Sequence, residues 1–205
     1  MDDDPSIQRV VGRDLRVRGG FDVFGAATAE EALEQSDSSK DAVLLDLHLR
    51  GRDDASGVEL LGEIRRKGYD RPISVLTGDK NPELLLSCVE AGADGYLIKP
   101  CDAISREMRR MLDDTPGPLP EGEGVGDSGR ATLVSQGVKG GLLELVDNWL
   151  KMGFPDLQDM AQARGCSNTV VSNSFGRVKK KLGLKTTYAL SSYLTALRMM
   201  GVGRR

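Results

Sequence analysis

Four places in this 205-residue chain hold side chains that could do chemistry, one at its start and three at the ends of apolar runs. The chain opens on Asp2, Asp3 and Asp4; Asp46 closes the run Ala42-Val43-Leu44-Leu45; Thr77 closes Ile73-Ser74-Val75-Leu76; Lys99 follows Gly95-Tyr96-Leu97-Ile98. The last three runs are short and apolar, as strands buried on both faces of a parallel sheet are. Residues just beyond the carboxyl ends of parallel strands converge on one crevice. Asp2, Asp3, Asp46, Thr77 and Lys99 are therefore expected to share a site. Grouped carboxylates repel one another and favour a divalent cation. An oxygen-only donor set suits Mg²⁺, which keeps several waters and accepts phosphate oxygens. A carboxylate beside Mg²⁺ and a lysine can act as a nucleophile toward a phosphoryl group.

The elements that must position these groups alternate. Ser6 to about Arg18 places Ile7, Val10, Val11 and Leu15 on one helical face, and Asp22–Gly25 reads as a short strand. Thr28-Ala29-Glu30-Glu31 has the form of a capping box opening a helix. Val58, Leu61 and Ile64 mark the next helix, Pro82 suits the first turn of another through Ala91, and a last one runs from Asp102 to about Leu112. Such alternation predicts an α/β domain with a parallel sheet and right-handed crossovers. After it, Thr115–Gly129 holds three prolines and five glycines in 15 residues and reads as a linker. The remainder is all helix, over about 138–152, 156–164, 168–182 and 186–200, with the short turn of a helix-turn-helix at Gly165–Asn168. The domains are thus expected at 1–114 and 130–205, joined by 115–129.

Charge divides with the domains. Residues 1–129 hold 16 basic and 27 acidic side chains, net −11; residues 130–205 hold 12 and 4, net +8. The second half has the balance of a polyanion binder. Three cysteines and one histidine exclude a disulfide scaffold and a zinc finger. No window approaches the roughly 20 apolar residues of a membrane span, and the acidic start is unlike a signal peptide. A reduced cytoplasmic protein with no membrane partner is expected.

The runs Asp2-Asp3-Asp4-Pro5-Ser6-Ile7, Val43-Leu44-Leu45-Asp46-Leu47-His48-Leu49, Ser74-Val75-Leu76-Thr77-Gly78 and Ala91-Gly92-Ala93-Asp94-Gly95-Tyr96-Leu97-Ile98-Lys99-Pro100 resemble the CheY-like receiver domain of bacterial two-component response regulators. The resemblance covers residues 1 to about 114 and implies a flavodoxin-like fold. It implies that Asp46 accepts phosphate from a sensor histidine kinase, and that Asp2, Asp3 and Asp46 bind Mg²⁺ with the backbone carbonyl of His48. Lys99 then pairs with the phosphoryl group, the Thr77 hydroxyl follows it, and Tyr96 is the aromatic switch. A receiver of this kind is not an enzyme beyond self-catalysed phosphoacceptance and slow autodephosphorylation. Two departures stand out. Gly51–Gly57 is about three residues longer than usual and adds Asp53 and Asp54. Only Met1 stands where a receiver has an apolar first strand. The expectation is a receiver lacking that strand, with Asp2 and Asp3 on a frayed terminus; its origin is a misassigned start codon, with a genuinely truncated, degenerate receiver as the alternative.

Asp156–Leu184 resembles the helix-turn-helix of LuxR-type regulators over about residues 138–200, although the usual opening is replaced by Val138-Lys139-Gly140-Gly141. By position, the resemblance implies that Ser172, Asn173 and Gly176 face bases and that Arg177, Lys179, Lys180 and Lys181 contact phosphates. Trp149 falls in a Leu142, Leu145, Val146 pattern and is expected in the core. The whole reads as a phosphorylation-controlled transcription regulator, with duplex DNA as partner and a homodimer formed on phosphorylation. An adaptor whose helices bind a protein, and a phosphate sink without output, are the alternatives.

Overall fold

The computed structural model describes residues 4–48, 54–79, 81–99, 104–115 and 126–202. The chain divides into two compact units, Met1–Thr115 and Pro116–Arg205. The first contains, in order, α1 (Pro5–Val17), α2 (Ala29–Gln35), β1 (Val43–Asp46), α3 (Asp54–Arg66), β2 (Ile73–Thr77), α4 (Pro82–Glu90), β3 (Gly95–Ile98) and α5 (Ile104–Leu112).

The described sheet has three parallel strands in the order β1-β2-β3. Asp46 lies opposite Leu76 and Thr77 opposite Ile98, so the strands end almost level. Helix α1 packs on α5, and α2, α3 and α4 pack in sequence on one another. Leu45, Leu47, Leu60, Leu61, Ile64, Ile73 and Val75 are fully buried, so the apolar runs of the strands meet the apolar stripe of α3. Thr28 caps α2 by accepting from Glu31 N at 3.2 Å, while the Glu31 carboxylate reaches one residue further than a simple capping box and accepts from Ala27 N at 2.8 Å. Asp4 caps α1 from outside Pro5, accepting from Ser6 N at 2.7 Å.

Two sequence expectations are corrected here. Val10 is 70% exposed, because α1 turns Val11 and Leu15 inward and Val10 stands about 100° away from Val11. Asp22–Gly25 is not a strand. Among the described residues it has no ladder partner; Arg16 donates to Val23 O and Gln35 to Gly25 O, and Gln8 donates to the next carbonyl, Ala26 O. A cavity of about 1170 Å³, lined by Val11, Leu15, Val23, Val43, Leu76 and Met108 among others, lies between this segment and β1. No strand precedes Val43 among the described residues.

The second unit contains α6 (Asp127–Ser135), α7 (Gly141–Lys151), α8 (Leu157–Arg164), α9 (Asn168–Leu182) and α10 (Thr187–Val202). Helix α6 is a correction, since it begins inside the stretch read as linker. Its Leu133 is fully buried, and the Arg130 guanidinium pairs with buried Asp147 of α7. Trp149 is 1% exposed, stacks obliquely on Phe154 and Phe175 at 4.4 and 4.6 Å, and donates to Pro155 O at 3.0 Å. It is a core residue. Gly165 and Gly183 end α8 and α9 in the left-handed conformation, which suits residues without a Cβ.

Candidate functional site

Strand β1 ends on Asp46, which is only 3% exposed. A buried carboxylate needs compensating donors. It has two at its described contacts. Lys99 Nζ lies 2.8 Å from Oδ2, and His48 N donates to Oδ1 at 3.3 Å. The lysine comes from the far side of the sheet. Its backbone N–H donates to Thr77 O at 2.7 Å, continuing the β2–β3 ladder one residue past β3, so that its stem departs at a fixed height and crosses the end of β2 to reach Asp46. This ion pair is charge-assisted and largely shielded from water, since the Lys99 side chain is 23% exposed.

Thr77 is fully buried, and its hydroxyl oxygen accepts from Asp79 N at 3.1 Å. Tyr96 Oη donates to Asp79 O at 3.1 Å. One residue, Asp79, therefore joins the Thr77 hydroxyl to the Tyr96 ring. A Thr77 hydroxyl turned toward a ligand at Asp46 would disturb that turn, and the tyrosine with it.

Of the residues expected at the site, Asp46, Thr77, Lys99, Tyr96 and the His48 backbone are gathered at the carboxyl end of the sheet. Asp2, Asp3 and Asp53 lie outside the described residues. Among the described residues no three metal-type ligands cluster. Asp46 contributes a hard oxygen donor, the kind Mg²⁺ selects.

Two supporting residues were not found from sequence. Arg65 of α3 donates to Asp94 Oδ2 at 2.5 Å and to the carbonyls of Gly92, Tyr69 and Arg71, and Asp94 Oδ2 also accepts from Ile73 N at 2.9 Å. This clamp holds the amino ends of β2 and β3, and through them the height at which Thr77 and Lys99 emerge. The only sequence signal was the acidic residue of Ala-Gly-Ala-Asp94 ahead of a strand. Gly57 is the second. A Cβ there would stand 2.5 Å from Leu47 O and 2.7 Å from Leu47 Cα, so the missing side chain lets α3 lie against the backbone one residue past Asp46.

In the second unit, α8 and α9 pack together, joined by a turn through Gly165. Val171, Phe175 and Val178 anchor α9 in the core, and Ser172, Asn173, Gly176, Arg177, Lys180 and Lys181 are exposed. Arg177 donates to Ser174 Oγ at 3.2 Å. Lys179 is half-buried and donates to Thr187 Oγ1 of α10 at 3.3 Å, which draws it away from the exposed face.

Residues 1–112 match the family described as the response regulator receiver domain. Over 111 residues the chain is 34% identical to a cyclic di-GMP phosphodiesterase of Thermotoga maritima, covering 54% of this chain and 28% of that protein. It is 34% identical over 101 residues to the transcriptional regulatory protein PrrA of Mycobacterium bovis, covering 49% of this chain and 42% of the relative. The chain thus spans less than half the length of either. Among solved structures, a LuxR-family two-component response regulator from Aurantimonas superposes with a TM-score of 0.50 and 29% identity, over 56% of this chain and 82% of that one.

Proposed function

Since the chain belongs to the response regulator receiver family, we propose that it is a phosphorylation-controlled transcription regulator whose switch is Asp46. The observation that carries the proposal is the Lys99 ammonium held 2.8 Å from the buried Asp46 carboxylate. Asp46 Oδ attacks the phosphorus of a phosphohistidine on a sensor kinase, or of a small acyl phosphate, and the donor's nitrogen or oxygen leaves. Lys99 stays beside the new acyl phosphate and offsets its charge. Asp2, Asp3, Asp46 and the His48 carbonyl would hold Mg²⁺, which when bound would supply charge neutralisation to the phosphoryl oxygens. Thr77 then turns to a phosphoryl oxygen, releases Asp79, and passes the change to Tyr96 of β3. The chain catalyses nothing beyond its own phosphorylation and slow dephosphorylation, and it works in the cytoplasm.

The output in this reading is DNA binding by α8 and α9 as a helix-turn-helix, with the phosphorylated chain pairing on a symmetric site. Its support is the +8 charge of residues 130–205 and the exposed polar and basic face of α9. The test is duplex binding by the full chain, with and without acetyl phosphate and Mg²⁺, across a range of salt concentrations. Phosphorylation is expected to tighten binding. Affinity is expected to fall steeply with salt, as counterion release requires. Binding that ignores both salt and acetyl phosphate would favour an adaptor that contacts a protein.

A further inference from the structure

Helix α9 has one apolar residue on the wrong side. Val171, Phe175 and Val178 are buried at 1%, 3% and 0%, which fixes how the helix is rotated. Val170, beside them in sequence, is 53% exposed. It is the third residue of the helix. A β-branched apolar side chain there contributes nothing to helix propensity and leaves methyl groups in water. With about 3.6 residues per turn, Val170, Asn173 and Arg177 fall at i, i+3 and i+7 and form a single stripe along the outside of the helix. Read from the amino end, the stripe is apolar, then amide, then cationic.

That order matches what a helix meets when it enters a major groove by its first turns. Residues near its amino end reach base edges, and later ones reach the backbone. In that groove an asparagine pairs with adenine through N6 and N7, and the apolar group on offer is the C5-methyl of thymine. Val170 and Asn173 are three residues apart, about 4.5 Å along the axis. Stacked base pairs are about 3.4 Å apart, so the two side chains address neighbouring pairs. Gly176 lies beside Asn173 on the same exposed side, and nothing stands within 4 Å of where its Cβ would be. A mid-helix glycine with no close neighbour in the protein leaves room for another molecule to approach the backbone.

We infer that Val170 is a specificity-determining residue that packs on a thymine methyl group next to an adenine held by Asn173. The inference rests on the DNA-binding reading above and adds to it the base sequence that α9 selects: an adenine with a thymine in the adjoining pair, on either strand.

The experiment uses the full chain treated with acetyl phosphate and Mg²⁺. Bound sequences are selected from random duplexes, and each thymine of the preferred site is then replaced singly by uracil, which removes only the methyl group. One replacement, next to the adenine whose identity ceases to matter in Asn173→Ala, is expected to weaken binding about fourfold, the effect of one buried methyl group. Val170→Ala should bind the thymine and uracil duplexes equally, with an unchanged salt dependence because no charge is lost. Val170 is exposed, so Val170→Ala should fold as the parent does. Salt-sensitive binding with no uracil effect at any position would overturn the role of Val170 and leave the DNA-binding reading standing. Absence of duplex binding at low salt would overturn both.

Discussion

Replacing Arg65 should loosen the sheet on which the phosphoacceptor site stands. Its guanidinium reaches Gly92 O from Nε at 2.9 Å and from Nη2 at 2.7 Å, Tyr69 O and Arg71 O from Nη1 at 2.9 and 2.7 Å, and Asp94 Oδ2 from Nη2 at 2.5 Å. The paired side chains are 15% and 11% exposed. Arg65→Met would leave the Asp94 carboxylate with the Ile73 N–H as its described donor and would withdraw a donor from three carbonyls. Breaking a buried ion pair costs about 3–5 kcal/mol. Water at the rim recovers part of this, so about 3 kcal/mol is expected, a large share of a domain's usual 5–15 kcal/mol. Arg65→Lys keeps the charge, but one ammonium cannot span four acceptors, and about 2 kcal/mol is expected. The single tryptophan, Trp149, lies in the other unit, so its fluorescence does not report this loss. Hydrogen exchange of the peptide containing Ile73 does, and it should accelerate about a hundredfold in Arg65→Met. If both variants stay within about 0.5 kcal/mol of the parent and Ile73 exchange is unchanged, the clamp does not hold the strands.

Lys99→Met should slow labelling by acetyl phosphate by about tenfold to a hundredfold, the worth of one hydrogen bond to a charged group, with an unchanged far-ultraviolet circular dichroism spectrum. Tyr69 is 4% exposed, and burial pushes its phenol up to about 12. The unfolded phenol titrates near 10, so this contribution is complete below about pH 10 and is lost as pH rises toward 12; between pH 9.5 and 11 the loss is about 1 kcal/mol, read from urea midpoints and absent in Tyr69→Phe. Two glycine substitutions should act in opposite directions: Gly57→Ala, forced against the Leu47 backbone, should destabilise by about 1–3 kcal/mol, and Gly176→Ala, in open space, should stabilise α9 by about 0.5–1 kcal/mol, both measured by chemical denaturation.

The three strands are legible in the sequence because each is a continuous apolar run, and burial on both faces depends on little else. The site is legible for a related reason: a parallel sheet brings its strand ends together, so Asp46, Thr77 and Lys99 converge once the strands are found. Asp22–Gly25 shows the limit. Whether an extended segment becomes a strand depends on a partner alongside it, and here Arg16 and Gln35 donate to the Val23 and Gly25 carbonyls instead. Helix α6 was hidden by the glycines around its start, since it is held by tertiary contacts: buried Leu133 and the pair of Arg130 with Asp147. The Arg65–Asp94 clamp joins residues 29 apart and leaves no local pattern. On α9, spacing identified the buried residues, but the exposure of Val170 became visible only with the rotation of the helix fixed.

Mapping the phosphoryl group tests most directly whether Asp46 is the switch. The full chain is incubated with acetyl phosphate and Mg²⁺, the acyl phosphate is trapped by reduction, and its position is read by peptide mass spectrometry. One phosphoryl group should appear on Asp46, absent without Mg²⁺ and absent in Asp46→Asn. Phosphate that persists in Asp46→Asn, or that maps to another residue in the parent chain, would contradict the assignment of Asp46.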